Sequence, residues 1–124
     1  PAGVALLVAE LELSTLRRKS RVRPAQAVPE YPPLREDLAV IVPEEMPAAQ
    51  VESLIFEAGG RLLSKVELFD LYRGEQIGTG RKSLAYHLTY QALDRTLTDE
   101  EIAPIRARII RRLEAQPGVQ VRRM

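Results

Sequence analysis

The chain has 124 residues, 45% of them apolar and 28% charged, as expected of one soluble globular domain with a single core. It holds no cysteine and one histidine, which excludes disulfides, thiolate metal sites, cysteine nucleophiles and a histidine-rich metal cluster. The net charge of +1 conceals three blocks: residues 1–24 sum to +3, residues 25–60 to −6 and residues 61–124 to +4. Such blocks suit either a solvated surface or a polyanion met by the C-terminal half alone.

No apolar run approaches the roughly 20 residues that cross a bilayer, so no membrane partner is expected. Residues 4–9 are apolar but lack a basic leader, which argues against a signal peptide. The lack of cysteine points to a reducing compartment, and the expected location is the cytoplasm. Beginning in the middle of an apolar run, the sequence reads as a piece of something longer.

The first segment, "GVALLVAELELSTLRRK", ends in an alternation of Leu11 and Leu13 and predicts one strand followed by a basic turn. Its apolar residues lack a partner, so self-association through residues 3–13 is expected. "RVRPAQAVPEYPP" then carries four prolines in thirteen residues, the composition of an extended linker. The expected division is residues 1–28 as the end of a preceding domain plus linker, and residues 29–124 as a domain of its own.

"REDLAVIVP" predicts a strand with Leu38, Val40 and Val42 on one face and Asp37, Ala39 and Ile41 on the other. "PAAQVESLIFEAGG" predicts a helix, with Pro47 at its start, a stripe of Val51, Leu54, Ile55 and Ala58, and Gly59 and Gly60 at its end. Two strands follow, over residues 62–73 and 81–91, joined by the glycine-rich hairpin loop "GEQIGTG". "TDEEIAPIRARIIRRLEAQPG" predicts a second helix opened by a Thr98–Glu101 capping box, with a stripe of Ile102, Ile105, Ile109 and Leu113. Pro104 should cost it a hydrogen bond or a bend. "GVQVRR" closes the chain as a short strand.

The order βαββαβ predicts a ferredoxin-like α+β sandwich, a four-stranded antiparallel sheet with both helices on one face. The other face is then open. In strand 81–91 the large residues Leu84, Tyr86, Leu88 and Tyr90 belong under the helices, which sends Ser83 and His87 outward. In strand 62–73 the apolar phase slips between Leu68 and Phe69. A β-bulge there would keep Val66, Leu68, Phe69 and Leu71 in the core and turn Glu67, Asp70 and Tyr72 outward.

The open face would then carry Tyr72, Asp70 and Ser83, with Arg73, Arg81 and Lys82 by the loop. An aromatic ring on an open sheet can stack a base of single-stranded RNA while short polar side chains read its edge. A carboxylate such as Asp70 only accepts, which fits a guanine edge that offers donors. Each residue also has an ordinary reading: Tyr72 lying across a sheet, Asp70 paired with an arginine, Ser83 bonding local backbone. His87 suits a bystander on a wet face, with no catalytic role. The loop lacks the Gly-Lys-Ser/Thr ending of a phosphate loop. No nucleophile, base and orienter assemble around one histidine, and an acylphosphatase-type site would need an asparagine, of which the chain has none.

"YPPLREDLAVIVPEEMPAAQV", "VELFDLYRGEQIGTGRKSLAY" and "DRTLTDEE" together resemble the ferredoxin-fold anticodon-binding domain that ends the beta chain of bacterial phenylalanyl-tRNA synthetases. The resemblance covers about residues 29–123, and residues 1–20 resemble the end of that chain's preceding, inactive catalytic-like module. It implies a module that grips the anticodon of phenylalanine tRNA and works beside the rest of the beta chain and the alpha chain. No catalysis and no cofactor are implied for this stretch, since phenylalanine activation with ATP and magnesium lies elsewhere in such enzymes. The family's stacking aromatic falls on Tyr72, against the first anticodon base, a guanine. Asp70 and Ser83 match positions that bond that base or its neighbours. Glu36 stands directly before Asp37 where the family commonly has an arginine. The other reading is a ferredoxin-like regulatory or protein-interaction domain that self-associates through its sheet.

Overall fold

The computed structural model describes residues 3–25 and 27–123. Strand β1 (Leu34–Pro43) leads into helix α2 (Ala48–Gly59), strand β2 (Leu63–Tyr72) and strand β3 (Arg81–Tyr90). Helix α3 (Asp99–Glu114) and strand β4 (Gln120–Arg123) complete the ferredoxin-like sandwich. The sheet order is β2-β3-β1-β4, and all three ladders are antiparallel.

The core lies between the helices and one face of the sheet. Leu38, Val40 and Val42 of β1 meet Leu84, Tyr86, Leu88 and Tyr90 of β3, under Val51, Leu54 and Ile55 of α2 and Ile102, Ile105 and Ile109 of α3. The alternation in β1 and β3 and the i, i+3/i+4 spacing in the helices make these residues converge. Helix α2 ends where Gly60 turns to φ 70°, a conformation open to glycine at little cost. The Arg108 guanidinium of α3 donates to the Ala58 and Gly59 carbonyls exposed by that ending. Helix α3 opens on the expected capping box: Glu101 N donates to Thr98 Oγ1 at 3.3 Å, and Thr98 N to Glu101 Oε2 at 2.9 Å. It continues through Pro104, which has no N–H to donate.

Two expectations need correction. The strand read from residues 3–13 is not formed. Residues 4–12 enter no ladder, and helix α1 (Leu13–Lys19) follows them. A strand needs a neighbour to bond, and none of the described strands pairs with this segment. From Leu13 on, Leu13 and Leu16 recur three apart, and Arg17, Arg18 and Lys19 fill the last turn, where a helix favours cations.

The bulge in β2 lies where the phase slip required it, between Leu68 and Asp70. It does not, however, put four apolar residues in the core. Leu68 and Leu71 pair with Tyr86 and Leu84 and so take the helix side, yet each is 42% exposed. Phe69 leaves the ladder, and its ring stacks on the imidazole of His87. The reason is position: β2 is the sheet's edge, and the helix layer covers its beginning (Leu63, Val66) far better than its end.

Candidate nucleic-acid interface

The side of the sheet away from the helices is built from three long strands. β3 offers Ser83, Ala85, His87 and Thr89; β1 offers Arg35, Asp37, Ala39 and Ile41; β2 offers Lys65, Glu67, Asp70 and Tyr72. Ala39, Ile41 and Ala85 are buried even here, so the middle of the face is a low apolar floor with taller polar and aromatic side chains around it. Tyr72 pairs with Ser83 in the β2–β3 register, and Asp70 pairs with Ala85 one step along the same face. The bulge brings this about: without it, Asp70 and Tyr72 would fall on the helix side.

Tyr72 is 44% exposed. Its ring lies over the first loop residue, because a Cβ at Gly74 would come within 2.1 Å of the Tyr72 hydroxyl oxygen. The backbone of Gly74 is extended, so glycine is needed there for space and not for its torsion. One Asp70 oxygen accepts from the amide of Leu71 at 2.9 Å, which leaves the other for a further donor. Ser83 is half-buried across from the ring.

The basic residues expected near the loop divide. Arg73 is exposed, but its guanidinium embraces the Glu44 carboxylate, with Nη2 to Oε1 at 2.6 Å and Nε at 3.0 Å from both oxygens. Arg73 also holds the Glu44 carboxyl below its ordinary pKa, chiefly through that hydrogen bond. Arg81 reaches the turn between α3 and β4, with Nη2 donating to the Gly118 carbonyl at 2.9 Å. Lys82 does not join the open face. It pairs with Val42 on the helix side, is only 9% exposed, and donates from Nζ to the Glu44 carbonyl at 2.8 Å. Parity decides this, since Lys82 shares its side of β3 with Leu84 and Tyr86.

Two more polar contacts lie on this face, one an ion pair and the other a hydrogen bond to the imidazole. Lys65 meets Glu67 at 2.7 Å and holds its carboxyl below the ordinary value, and His87 Nδ1 meets Asp37 Oδ1 at 2.6 Å. Among the described residues no group of three or more His, Asp or Glu side chains is placed to hold a metal ion, and no helix is long and apolar enough to cross a membrane. Sequence reasoning missed the ring of Phe69, assigned to the core, and the space that Gly74 leaves for Tyr72. The first had a signal in the position of β2 as an edge strand, the second in the two-residue spacing of Tyr72 and Gly74.

A model of the ferredoxin-fold anticodon binding domain matches residues 29–122. The chain belongs to that family. A phenylalanine–tRNA ligase beta subunit of Symbiobacterium thermophilum is 50% identical over 88 residues, 71% of this chain and 10% of that protein. Proteins with the same name from Moorella thermoacetica and Clostridium tetani are 48% and 38% identical over 82% and 93% of this chain. The chain thus spans 10–15% of the length of these relatives. Against this family background Glu36 has a place: it lies on the helix side of β1, between Tyr90 and Arg106, and not on the face that carries Tyr72.

Proposed function

We propose that the chain binds the anticodon stem-loop of phenylalanine tRNA through its open sheet face. The supporting observation is the cluster of Tyr72, Ser83 and Asp70 on one side of the β2–β3 ladder. The ring offers a stacking surface, the carboxylate a pure acceptor, and the hydroxyl a donor and acceptor that adapts. In this reading Tyr72 lies against the first anticodon base, a guanine, and Asp70 and Ser83 bond its edge or its neighbour's. Arg81 and Arg73 sit at the loop end, where each would exchange its present partner, the Gly118 carbonyl or the Glu44 carboxylate, for a phosphate. Lys82 drops out of the set.

The relatives are named as beta subunits of a phenylalanine–tRNA ligase, so the wider setting is proposed from them. The chain is the tRNA-gripping end of such a subunit in the cytoplasm, with residues 1–28 as the join to the preceding domain. Activation of phenylalanine with ATP and magnesium then belongs to the alpha chain, and this stretch contributes no catalytic group. Self-association through the sheet is the weaker reading. It would bury the Lys65–Glu67 and His87–Asp37 pairs with the Asp70 carboxylate, and desolvating them opposes the contact.

The test is a titration of the chain with phenylalanine tRNA and with a second tRNA at several salt concentrations. Tighter binding to the first, weakening as salt rises, is expected. Equal affinity for both tRNAs at every salt concentration overturns the reading.

A further inference from the structure

The ring of Phe69 is the residue on this face that the reading above leaves unused. It has no ladder partner, because β2 skips from Leu68 opposite Tyr86 to Asp70 opposite Ala85. An apolar side chain ejected at an edge strand would ordinarily fold back over the nearest apolar surface, here the half-exposed Leu68 and Leu71 on the helix side. Instead Phe69 crosses to the wet face and lies parallel to the imidazole of His87, with centroids 3.8 Å apart and planes 9° from parallel. It remains 43% exposed.

The imidazole beneath it is itself fixed. His87 Nδ1 meets Asp37 Oδ1 at 2.6 Å, and an ionised carboxylate only accepts, so Nδ1 carries the proton. Asp37, His87 and Phe69 come from β1, β3 and β2, so the stack is tied across three adjacent strands. A ring held in this way gives up little further freedom when something flat settles on it.

The charges around the stack narrow what that could be. Asp37 contacts the imidazole, Glu67 pairs with His87 across the ladder, and Asp70 follows Phe69 in the chain. Of the nearby cations, Lys65 is bound to Glu67, and Arg35 stands two residues before Asp37 on the same face, opposite Thr89. Three carboxylates repel a phosphate, whereas they suit a flat uncharged group whose edge carries amino hydrogens. Tyr72 stands three residues further along β2, roughly 10 Å for extended backbone, within reach of the neighbouring nucleotide of one strand.

We propose that Phe69, backed by His87 and positioned by Asp37, is a second base-stacking platform, which takes a nucleobase next to the one on Tyr72. The proposal rests on the RNA-binding reading above and deepens it: the face holds two unstacked bases, not one.

The test uses the 124-residue chain and the anticodon stem-loop RNA of phenylalanine tRNA, intact and with one base removed at each loop position in turn. Phe69→Leu should weaken binding roughly five- to hundred-fold, the range that stacking one base on one ring carries, while the thermal midpoint holds. Phe69→Trp should restore binding. The loss in Phe69→Leu should vanish on one abasic RNA, and a different abasic RNA should silence Tyr72→Ala. Because the natural chain has no tryptophan, the introduced indole also reports directly: its emission should be quenched at saturating RNA. If Phe69→Leu fails to fold, that quenching decides alone, and unchanged emission overturns the proposal. Full binding by Phe69→Leu, or the same loss on every abasic RNA, overturns it too. If Tyr72→Ala weakens binding and Phe69→Leu does not, only the second platform falls. If neither variant weakens binding, the RNA reading falls with it.

Discussion

Arg106 of α3 donates from Nε to Glu36 Oε2 of β1 at 2.6 Å, while the Tyr90 hydroxyl of β3 donates to the other oxygen of the same carboxylate at 2.6 Å. Both partners of the ion pair are 17% exposed, so the contact is largely shielded from water. Burial pushes the Tyr90 hydroxyl well above the ordinary tyrosine pKa, and its bond to Glu36 adds to the shift, so it stays a donor. Arg106 also reaches Asp99 Oδ1 at 3.3 Å, which ties the first turn of α3 into the network. One carboxylate thus joins a central strand, its neighbour and the second helix.

Glu36→Ala should therefore cost about 2–3 kcal/mol of folding stability, because it leaves the buried Tyr90 hydroxyl without an acceptor and the Arg106 guanidinium with Asp99 alone. Glu36→Gln keeps an acceptor and should cost about 1–2 kcal/mol. Glu36→Arg should be the worst of the three, and Arg106→Glu on top of it should recover part of the loss. Urea denaturation of each variant measures this. Equal stability of Glu36→Ala and the unaltered chain would show that the network contributes nothing.

Tyr72 on the open face leads to the opposite pattern. Removing its ring should lower the affinity for phenylalanine tRNA by about 1–3 kcal/mol. Its effect on folding should stay well below the roughly 3–5 kcal/mol of a buried aromatic. Tyr72→Phe should bind nearly as well, since stacking needs the ring and not the hydroxyl. Gly74→Ala should act in the same direction without touching the ring's chemistry, because the new methyl group displaces the ring. Asp70→Ala should reduce discrimination at the first anticodon base more than overall affinity. Melting curves beside tRNA titrations separate the two effects. A Tyr72→Ala chain that unfolds while its folded fraction binds normally would make Tyr72 a core residue.

Helices α2 and α3, the β1 and β3 faces and the strand order were legible because burial there is one-sided and the periodicities are clean. The even-numbered apolar residues of β3 and the stripe of α3 leave little choice. β2 was harder. Its bulge could be placed from the phase slip, but periodicity says which side a residue takes and not whether anything covers it. Periodicity therefore puts Phe69, Leu68 and Leu71 alike in the core, although all three are partly exposed. Lys82 shows a different failure. Proximity to the loop suggested a solvent-facing cation, whereas its parity with Leu84 already put its stem inward. The segment before Leu34 misled because alternation can propose a strand, while a strand also needs a neighbour that the local sequence does not specify.

Lys82 and Arg81 adjoin in sequence and should separate in experiment. Lys82→Met retains an apolar stem but leaves the Glu44 carbonyl without its donor. It should cost about 1 kcal/mol of stability and leave the salt dependence of RNA binding unchanged. If Arg81 meets a phosphate, Arg81→Met should reduce the slope of log affinity against log salt by about 0.7–0.9. A reduced slope for Lys82→Met with full stability would mean that its ammonium swings out to the RNA.

The segment before the linker is the most apolar exposed surface among the described residues. Val4, Leu6, Leu7, Val8, Leu11, Leu13 and Leu16 are between 50% and 96% exposed, and none of them belongs to the core cluster. Contiguous apolar surface of this kind is uncommon on a free monomer and drives contact with whatever apolar surface is near. In a solution of this chain alone, that surface is a second copy. Sedimentation velocity over a range of concentrations should therefore show reversible self-association, and deleting residues 1–24 should abolish it. The deletion should leave the melting temperature nearly unchanged, because the core begins at Leu34. Salt distinguishes this contact from RNA binding: a strongly excluded salt such as sulfate should strengthen an apolar association, whereas rising ionic strength weakens a phosphate contact. A chain that stays monomeric at every concentration, with a truncated form no more soluble than the whole, would refute the idea. A truncated form that remains associated would move the contact to the exposed edge of β2, where Leu68 and Leu71 are the apolar side chains left to make it.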